Sequence, residues 1–388
     1  MSMLLNQEQR LLRDSAQDFL TARAPVSALR QLRDTRDPQG YAPDLWREVA
    51  EMGWTAMVLP SAYGGLDFGY KALGAVFEQT GRTLAVLPLL SSVVLGGGIL
   101  AEAGSDAQRD AWLPRVASGE TLLALALEER PRHDPAAVAL QARKEGDQWV
   151  LDGEKWFVLD GHIAHQLIVV ARTSGAAGDR HGLSLFLVDP ASPGVGVERT
   201  IMVDSRNAAR VRFTQVRCDA NALIGTCDEG FAPLDAVLDR ARICVAAELL
   251  GVIREAFAST VGYLKQRVQF GVPIGSFQAL QHRAARLYAE IELLDSCVAA
   301  ALASLDATEA DAADAAAGSS TALLASLAKA RASDLGERML NEAVQMHGGI
   351  GVTDELDLGL FLKRSRVLQQ SFGDGPFHRS RYAALRGF

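Results

Sequence analysis

The sequence predicts an α+β protein in which an N-terminal helical domain, a middle antiparallel β domain and a C-terminal four-helix bundle follow one another. Apolar residues recur at helical spacing up to about residue 120. Short β-forming segments, separated by Gly, Pro and Asp, then follow, and long helical patterns return near 229. We therefore expect domains at 1–120, 121–228 and 229–388.

The first two regions are assigned from local patterns. Leu4, Leu11 and Phe19 recur at helical spacing, PSAYGG at 60–65 predicts a turn, and the apolar run 88–104 predicts a buried helix loosened by three glycines. The predicted strands are TLLALALEE, DQWVLDGEKWFVLDG, HQLIVVART, GLSLFLVDP, GVGVERT and ARVRFTQVRC. These segments favour an antiparallel sandwich or barrel that ends near Gly225.

The C-terminal region carries four long helical patterns. They cover 231–268, 277–305, 320–346 and 355–370, and a short polar helix closes the sequence. The alanine-rich stretch 299–318 predicts a helix end followed by a flexible loop, because its side chains offer little to pack. A helical bundle is the expected arrangement.

Composition excludes several functional classes. Hydrophobic residues make up 48% of the 388 residues, so a large core is available, and no apolar run reaches the roughly 20 residues of a membrane span. The charged N-terminal segment does not resemble a signal peptide. A net charge of −8 argues against non-specific nucleic-acid binding. The four cysteines lack CxxC spacing, which favours reduced thiols and a cytoplasmic location.

Four segments together resemble the acyl-CoA dehydrogenase family. They are LPSAYGGLDFGY, GEKWFVLDG, YLKQRVQFGVPIGSFQALQHRAA and AVQMHGGIGVTDELDLGLFLKR. The last of them, with SFGD after it, is most similar to small-subunit members such as pimeloyl-CoA dehydrogenase small subunits. The resemblance implies a homo- or heterotetramer that binds FAD and oxidises an acyl-CoA thioester to the 2,3-enoyl-CoA. It also implies that electrons pass to an electron-transferring flavoprotein.

The resemblance assigns cofactor contacts in the C-terminal region. Arg267, Phe270 and Gln278 stand where family members contact FAD across a subunit interface. A guanidinium suits a pyrophosphate because it offers charged donors in one plane, although a helix-end arginine on the surface is the ordinary alternative.

A glycine-rich turn and a strand supply the remaining cofactor contacts. Gln345, Gly348 and Gly349 belong to QMHGGIG, in which glycines let the backbone approach a dinucleotide. Phe157 falls where the family places an aromatic ring against the isoalloxazine, with a place in the sandwich core as the alternative.

The sequence also departs from the family pattern. Leu159 replaces a threonine near flavin N5, and LEERPRHD at 127–134 replaces the loop T-E-P-x-A-G-S-D. Two side-chain contacts to the flavin are therefore missing. A metal site at His162 and His165 is not expected, because no third ligand follows at a suitable spacing.

The catalytic base is the main open question. The resemblance implies a glutamate either in the segment SFGD, where Phe372 stands, or near LDRARI, where Ala241 stands. Arg242, beside the second position, matches a family arginine near the CoA moiety, with a surface ion pair as the alternative. Both positions of the base therefore lack a carboxylate.

Glu248 is the candidate base that the residues themselves suggest. It is the single charge in the apolar segment CVAAELLGV, where burial would make a carboxylate a stronger base. It lies two helical turns, about 10 Å, beyond Ala241. The structural alternative is an ion pair with an arginine such as Arg283 or Arg286. Asp374 is a second candidate, with a role in the turn as its alternative.

Two functional hypotheses follow from these observations. In the first, the chain is an FAD-dependent acyl-CoA dehydrogenase whose base is Glu248 or another carboxylate. In the second, it is a subunit without a base that completes the FAD site of a larger homologous partner in a heterotetramer. The acyl chain of the substrate is not specified by the sequence, because interchangeable apolar residues line such pockets.

Overall fold

The computed structural model describes residues 3–307 and 320–388. The alanine-rich stretch, predicted to end in a flexible loop, lies largely outside the described residues. Described residues of Met1–Thr35, Tyr70–Val86 and Arg242–Phe388 form one compact unit, and Arg36–Gly69 with Leu87–Ala241 form a second. The predicted order of a helical region, a β domain and a second helical region is confirmed.

The second unit contains the β domain. Its main sheet follows the order β6-β7-β3-β2-β4-β5-β8, and β1 pairs with β4. The strands are β1 Leu123–Ala126, β2 Gln141–Glu145, β3 Gln148–Leu159, β4 Gln166–Arg172, β5 Leu183–Val188, β6 Val195–Ile201, β7 Asn207–Asp219 and β8 Leu223–Ile224. Most pairings are antiparallel as expected, but β1 and β2 both pair with β4 in parallel.

Strand β2 was not predicted from the sequence. Its sequence QARKE has one buried side chain, so it lacks the alternating apolar pattern that identifies strands. Hydrogen bonding to β3 along its whole length holds it in the sheet instead.

Three α-helices precede the sheet in the same unit. They are α3 Pro43–Glu51, α5 Gly98–Ala103 and α6 Asp106–Ala117. The expected buried helix at 88–104 is buried as predicted, but its first part, Leu89–Gly97, is π-helical. Gly96 lies so close to β1 that an added Cβ would meet Leu123 Cβ at 2.3 Å. Glycine is therefore required where this segment packs on the sheet.

The first unit is helical. It contains α1 Gln7–Arg23, α2 Val26–Thr35, α4 Tyr70–Thr83, α8 Gln278–Leu305, α9 Thr321–His347, α10 Leu358–Gln370 and α11 Gly375–Leu385. Helix α7 spans Phe231–Gln266 and contributes residues to both units. The four long predicted helices agree with α7 to α10 to within three residues at each end.

Two glycines allow α4 and α7 to pack backbone against backbone. A Cβ at Gly81 would lie 2.0 Å from the Glu248 carbonyl oxygen, and one at Gly251 would lie 1.9 Å from the Glu78 carbonyl oxygen. Larger residues would force the helices apart. This contact holds the middle of α7, including Glu248, against α4. Among the described residues, no helix is long and apolar enough to cross a membrane.

Candidate functional site

A strained turn connects α10 to α11. Phe372 has a φ of 55° and Gly373 a φ of 107°, so a bulky aromatic residue occupies the left-handed region that ordinarily favours glycine. Phe372 is buried, with an exposed fraction of 9%. Strain of this kind persists only where surrounding contacts enforce it.

Three buried side chains bind the carbonyl oxygens of this turn. Arg242 Nε lies 3.3 Å from the Phe372 oxygen, and His378 Nε2 lies 3.1 Å from the same atom. Lys329 Nζ donates to the Gly373 oxygen at 2.8 Å and the Gln369 oxygen at 3.0 Å. These three side chains have no exposed surface. Arg242, expected near the CoA moiety, thus lies beneath the turn in this structure.

Lys329 is the most unusual member of this group. Burial, followed by the nearby charge of Arg242, lowers the pKa of Lys329 to about 7. Sequence reasoning missed this residue. A signal was nevertheless present, because Lys329 lies on the same stripe of α9 as Gly336, Leu340 and Ala343, all of which are buried.

Asp374 caps the helix that follows the turn. Its carboxylate accepts a hydrogen bond from the Phe377 amide at 2.8 Å and forms the N-cap of α11. Such a cap satisfies a backbone donor that the helix leaves unpaired. The geometry therefore supports the structural alternative for this carboxylate.

Glu248 forms a buried two-point ion pair. Arg364 Nε donates to Oε1 at 2.8 Å and Arg364 Nη2 donates to Oε2 at 2.9 Å, and the two side chains are 8% and 3% exposed. This is the pairing that makes a buried carboxylate tolerable. The partner is not one of the arginines expected, since Arg283 binds Glu342. The contact favours a structural role for Glu248 over that of a base.

The two segments assigned to the cofactor in the C-terminal region lie at one end of the bundle. Tyr263, at the end of α7, stacks on His347 at the end of α9 with ring centroids 4.5 Å apart. The first ring precedes the RVQFG segment by four residues, and the second precedes Gly348 directly. The stacked pair therefore joins the arginine-containing hairpin to the glycine turn.

The hairpin exposes an apolar surface. It consists of β9 Val268–Gln269 and β10 Val272–Pro273, with Phe270 between them at a φ of 54° and 91% exposed. Its ring lies edge-on to that of Phe277 with centroids 6.2 Å apart. Apolar surface displayed on a strained turn is typical of a contact with a partner or ligand. Arg267 and Gln278 are exposed at the two ends of this segment.

The glycine turn is open to close approach. Gly348 and Gly349 are exposed, and a Cβ added at either would meet nothing within 4 Å. Gln345 is exposed one helical turn earlier. In contrast, a Cβ at Gly351 would lie 2.8 Å from the Val344 oxygen, so this glycine is required by the fold itself. The open glycines and the exposed amide side chain fit a dinucleotide that lies along the backbone.

Phe157 lies in the β domain at an irregularity of β3. It lies within the break in register between Lys155 and Val158, has a φ of 51° and is 48% exposed. A place in the sandwich core, the alternative for this ring, is therefore excluded. Exposure in a strained strand fits an aromatic surface offered to a ligand.

The loop that departs from the family pattern is firmly anchored. Lys155 is fully buried and donates to the Leu127 oxygen at 3.0 Å and to Glu129 Oε1 at 2.7 Å. The carboxylate of Glu129 also accepts the amides of Ala139 and Leu140. Burial lowers the pKa of Lys155, and Glu129 opposes that shift. The backbone of this loop is thus held without the hydroxyl side chains of the family.

Metal ligands are not clustered in the described part of the chain. Within 3–307 and 320–388, no three His, Cys, Asp or Glu side chains are grouped as ligands would be. His162, one of the two histidines considered, lies near Arg199, and burial lowers the pKa of its imidazole.

Three family models together match nearly the whole chain. The model described as acyl-CoA dehydrogenase, N-terminal domain, matches residues 6–120. The corresponding middle-domain model matches 125–216, and the C-terminal-domain model matches 228–384.

Individual relatives agree with these models. Acyl-CoA dehydrogenase FadE12 of Mycobacterium tuberculosis is 31% identical over 331 residues, which cover 84% of this chain and 83% of the relative. Butyryl-CoA dehydrogenase of Megasphaera elsdenii superposes with a TM-score of 0.87 at 26% identity over 100% of both chains. A chain of the ChsE4-ChsE5 complex of M. tuberculosis superposes with a TM-score of 0.87 at 25% identity, covering 100% of this chain and 99% of that one.

Proposed function

The chain belongs to the acyl-CoA dehydrogenase family of oxidoreductases, and we propose that it is an FAD-binding subunit in the α,β-dehydrogenation of an acyl-CoA thioester to the 2,3-enoyl-CoA. When bound, FAD accepts the β-hydrogen as a hydride. A carboxylate must take the α-proton. We propose that this carboxylate belongs to a larger homologous subunit of a heterotetramer.

The proposal is supported by the fact that the nearby carboxylates already have structural partners. Phe372 and Ala241 stand at the two positions that the resemblance assigns to the base. Glu248 is held at both oxygens by Arg364, and Asp374 caps α11. To act as a base, Glu248 would have to break its buried two-point ion pair with Arg364, which is strongly unfavourable.

The cofactor assignment is supported by the end of the bundle described above. Arg267 supplies charge for a pyrophosphate, Phe270 and Gln278 flank it, and Gln345 with Gly348 and Gly349 offers an open backbone. An exposed phenylalanine also suits a subunit interface, in agreement with a tetramer. Phe157 would supply an aromatic face to the flavin. The proposed electron acceptor is an electron-transferring flavoprotein.

A self-sufficient dehydrogenase is the second candidate function. Its support is that Glu248 is a buried carboxylate on α7, seven residues after one of the assigned base positions. In this case the chain would work as a homotetramer, and Arg364 would have to release the carboxylate during turnover.

The two candidates differ in what the purified chain does alone. We expect the chain, reconstituted with FAD, to be yellow but not to bleach under anaerobic conditions with butyryl-, octanoyl- or palmitoyl-CoA. Bleaching should appear when a larger homologue that carries the base is co-expressed with it. Bleaching of the isolated chain would establish the second candidate instead. A folded chain that binds no FAD alone or in the complex would refute the cofactor assignment.

A second prediction concerns the glycine turn. Gly349→Val should weaken FAD binding at least about tenfold, because the new side chain fills the space through which a dinucleotide would approach the backbone. Its melting temperature without FAD should change little, since nothing lies within 4 Å of the added Cβ. Gly196→Val is the matched control: this glycine is equally open but lies in edge strand β6. Equal FAD affinity in both variants would remove Gly349 from the cofactor site.

A further inference from the structure

The turn between α10 and α11 gathers three buried basic side chains that dehydrogenation as described above does not use. Arg242, Lys329 and His378 all reach main-chain oxygens within Gln369–Asp374. Carbonyl oxygens do not neutralise a cation as a carboxylate would, so a fully buried lysine here is costly. What the three side chains share is that each binds main-chain oxygens in or next to this turn.

We propose that Lys329 is a positioning residue: its amino group holds the carbonyl groups of Gln369 and Gly373, on either side of position 372, and thereby fixes the direction in which side chain 372 leaves the main chain. This inference rests on the proposed function, because position 372 is one of the two positions to which the resemblance assigns the base. The residue acts through the turn and contacts no reacting atom.

The protonated amino group of Lys329 has as many N–H donors as it has acceptors within hydrogen-bond distance. An ammonium group has three N–H donors. Lys329 Nζ has three acceptors, namely the Gly373 oxygen at 2.8 Å, the Gln369 oxygen at 3.0 Å and Ser333 Oγ at 3.3 Å. The first acceptor lies in the strained turn and the second just before it. When the lysine loses its proton, the Ser333 hydroxyl can donate to the nitrogen instead, and the two carbonyl oxygens keep only neutral hydrogen bonds, which are weaker than charge-assisted ones.

Protonation consequently changes how firmly the turn is held. Arg242 on α7 lowers the pKa of Lys329, and Asp374 at the start of α11 opposes it, with burial as the largest cause of the final value of about 7. Helix α10 presents the Gln369 carbonyl and α9 presents the Ser333 hydroxyl, while His378 of α11 binds the adjacent Phe372 oxygen. The neutral amine keeps two N–H donors but loses the charge that strengthens their bonds to the carbonyl oxygens, so the hold is strongest below pH 7 and weakens above it.

Global stability should follow the opposite trend. The pKa of Lys329 is lowered in the folded chain, from an ordinary value of 10.5 to about 7. The unfolded chain therefore binds the extra proton between these values, and this group's contribution to the free energy of unfolding rises as the pH increases from 7 to 10.5. Weaker hydrogen bonding in the turn, together with a higher free energy of unfolding of the whole chain, distinguishes a positioning role from a purely structural one.

The test is hydrogen–deuterium exchange of the full chain at pH 6.0 and pH 8.5, corrected for the chemical exchange rate. We expect peptides covering 369–378, which include the bonded amides of Phe377 and His378, to exchange about threefold or more faster at pH 8.5. Lys329→Met should raise exchange there about tenfold at pH 6.0 and remove the pH dependence. Lys329→Arg, charged at both pH values, should also remove the pH dependence while retaining protection. Lys265→Met, at an exposed lysine on α7, is the control and should behave as wild type.

A second readout uses the gain-of-function variant Phe372→Glu. Adding Lys329→Met to it should lower kcat at least about tenfold and leave KM within about twofold, because the substrate is bound but the carboxylate is misplaced. Exchange that is independent of pH in wild type, or that rises uniformly across the chain in Lys329→Met, would overturn the positioning role. If Phe372→Glu is inactive but the exchange results hold, the assignment of the base to position 372 fails and the positioning of the turn stands. Bleaching of the isolated wild-type chain would instead refute the proposed function without affecting the exchange results.

Discussion

Phe372→Glu is expected to give the isolated, FAD-loaded chain the ability to remove the α-proton of an acyl-CoA. The turn already holds position 372 with a positive φ, so glutamate would occupy a backbone that phenylalanine occupies at the same strain. A positioned general base contributes about 10²- to 10⁴-fold. We expect a rise of that size in α-hydrogen exchange, measured by mass spectrometry of octanoyl-CoA in deuterated water, and in anaerobic bleaching.

Two variants control this experiment. Phe372→Gln has nearly the shape of glutamate without its charge and should stay at the wild-type rate. Ala241→Glu tests the other position that the resemblance assigns to the base. If Phe372→Glu folds and binds FAD but exchanges the α-hydrogens of the substrate no faster than Phe372→Gln, a side chain at position 372 does not reach the substrate. Activity in Ala241→Glu alone would then transfer the base position to α7.

Glu248→Gln is expected to destabilise the chain by about 3–5 kcal/mol, because it removes one charge of the buried two-point ion pair between Glu248 and Arg364. Denaturant unfolding of the isolated chain measures the change. The matched control is Glu337→Gln, which removes the partner of Arg366 from a pair whose side chains are 40% and 58% exposed. That surface variant should cost less than about 1 kcal/mol.

Removing the whole pair should be much better tolerated than breaking it. The double variant Glu248→Leu/Arg364→Met replaces both charges by apolar groups and should recover most of the lost stability. Its exchange of α-hydrogens should equal that of wild type. A stable Glu248→Gln chain that loses bleaching in the isolated, FAD-loaded protein would contradict the structural role and identify Glu248 as the base.

The helical regions could be predicted closely because their signal is local. Apolar spacing along α7 to α10, together with the glycine and proline residues that follow, reports which face is buried and where each helix ends. The cofactor segments were accessible for a similar reason: RVQFG and QMHGGIG are contiguous in the sequence. Strand β2 was missed because main-chain pairing with β3, rather than its own side chains, holds it in the sheet.

The sequence by itself thus determined the fold class, the buried faces and the absence of glutamate at positions 372 and 241. Only the tertiary structure decided that Glu248 meets Arg364, 116 residues away, and that Lys329 reaches the turn before α11. It also decided that Phe157, Phe270 and Phe372 adopt the left-handed conformation. The spacing of apolar residues indicates which face of a helix is buried. Which charged or carbonyl group that face contacts depends on how helices distant in the sequence pack together.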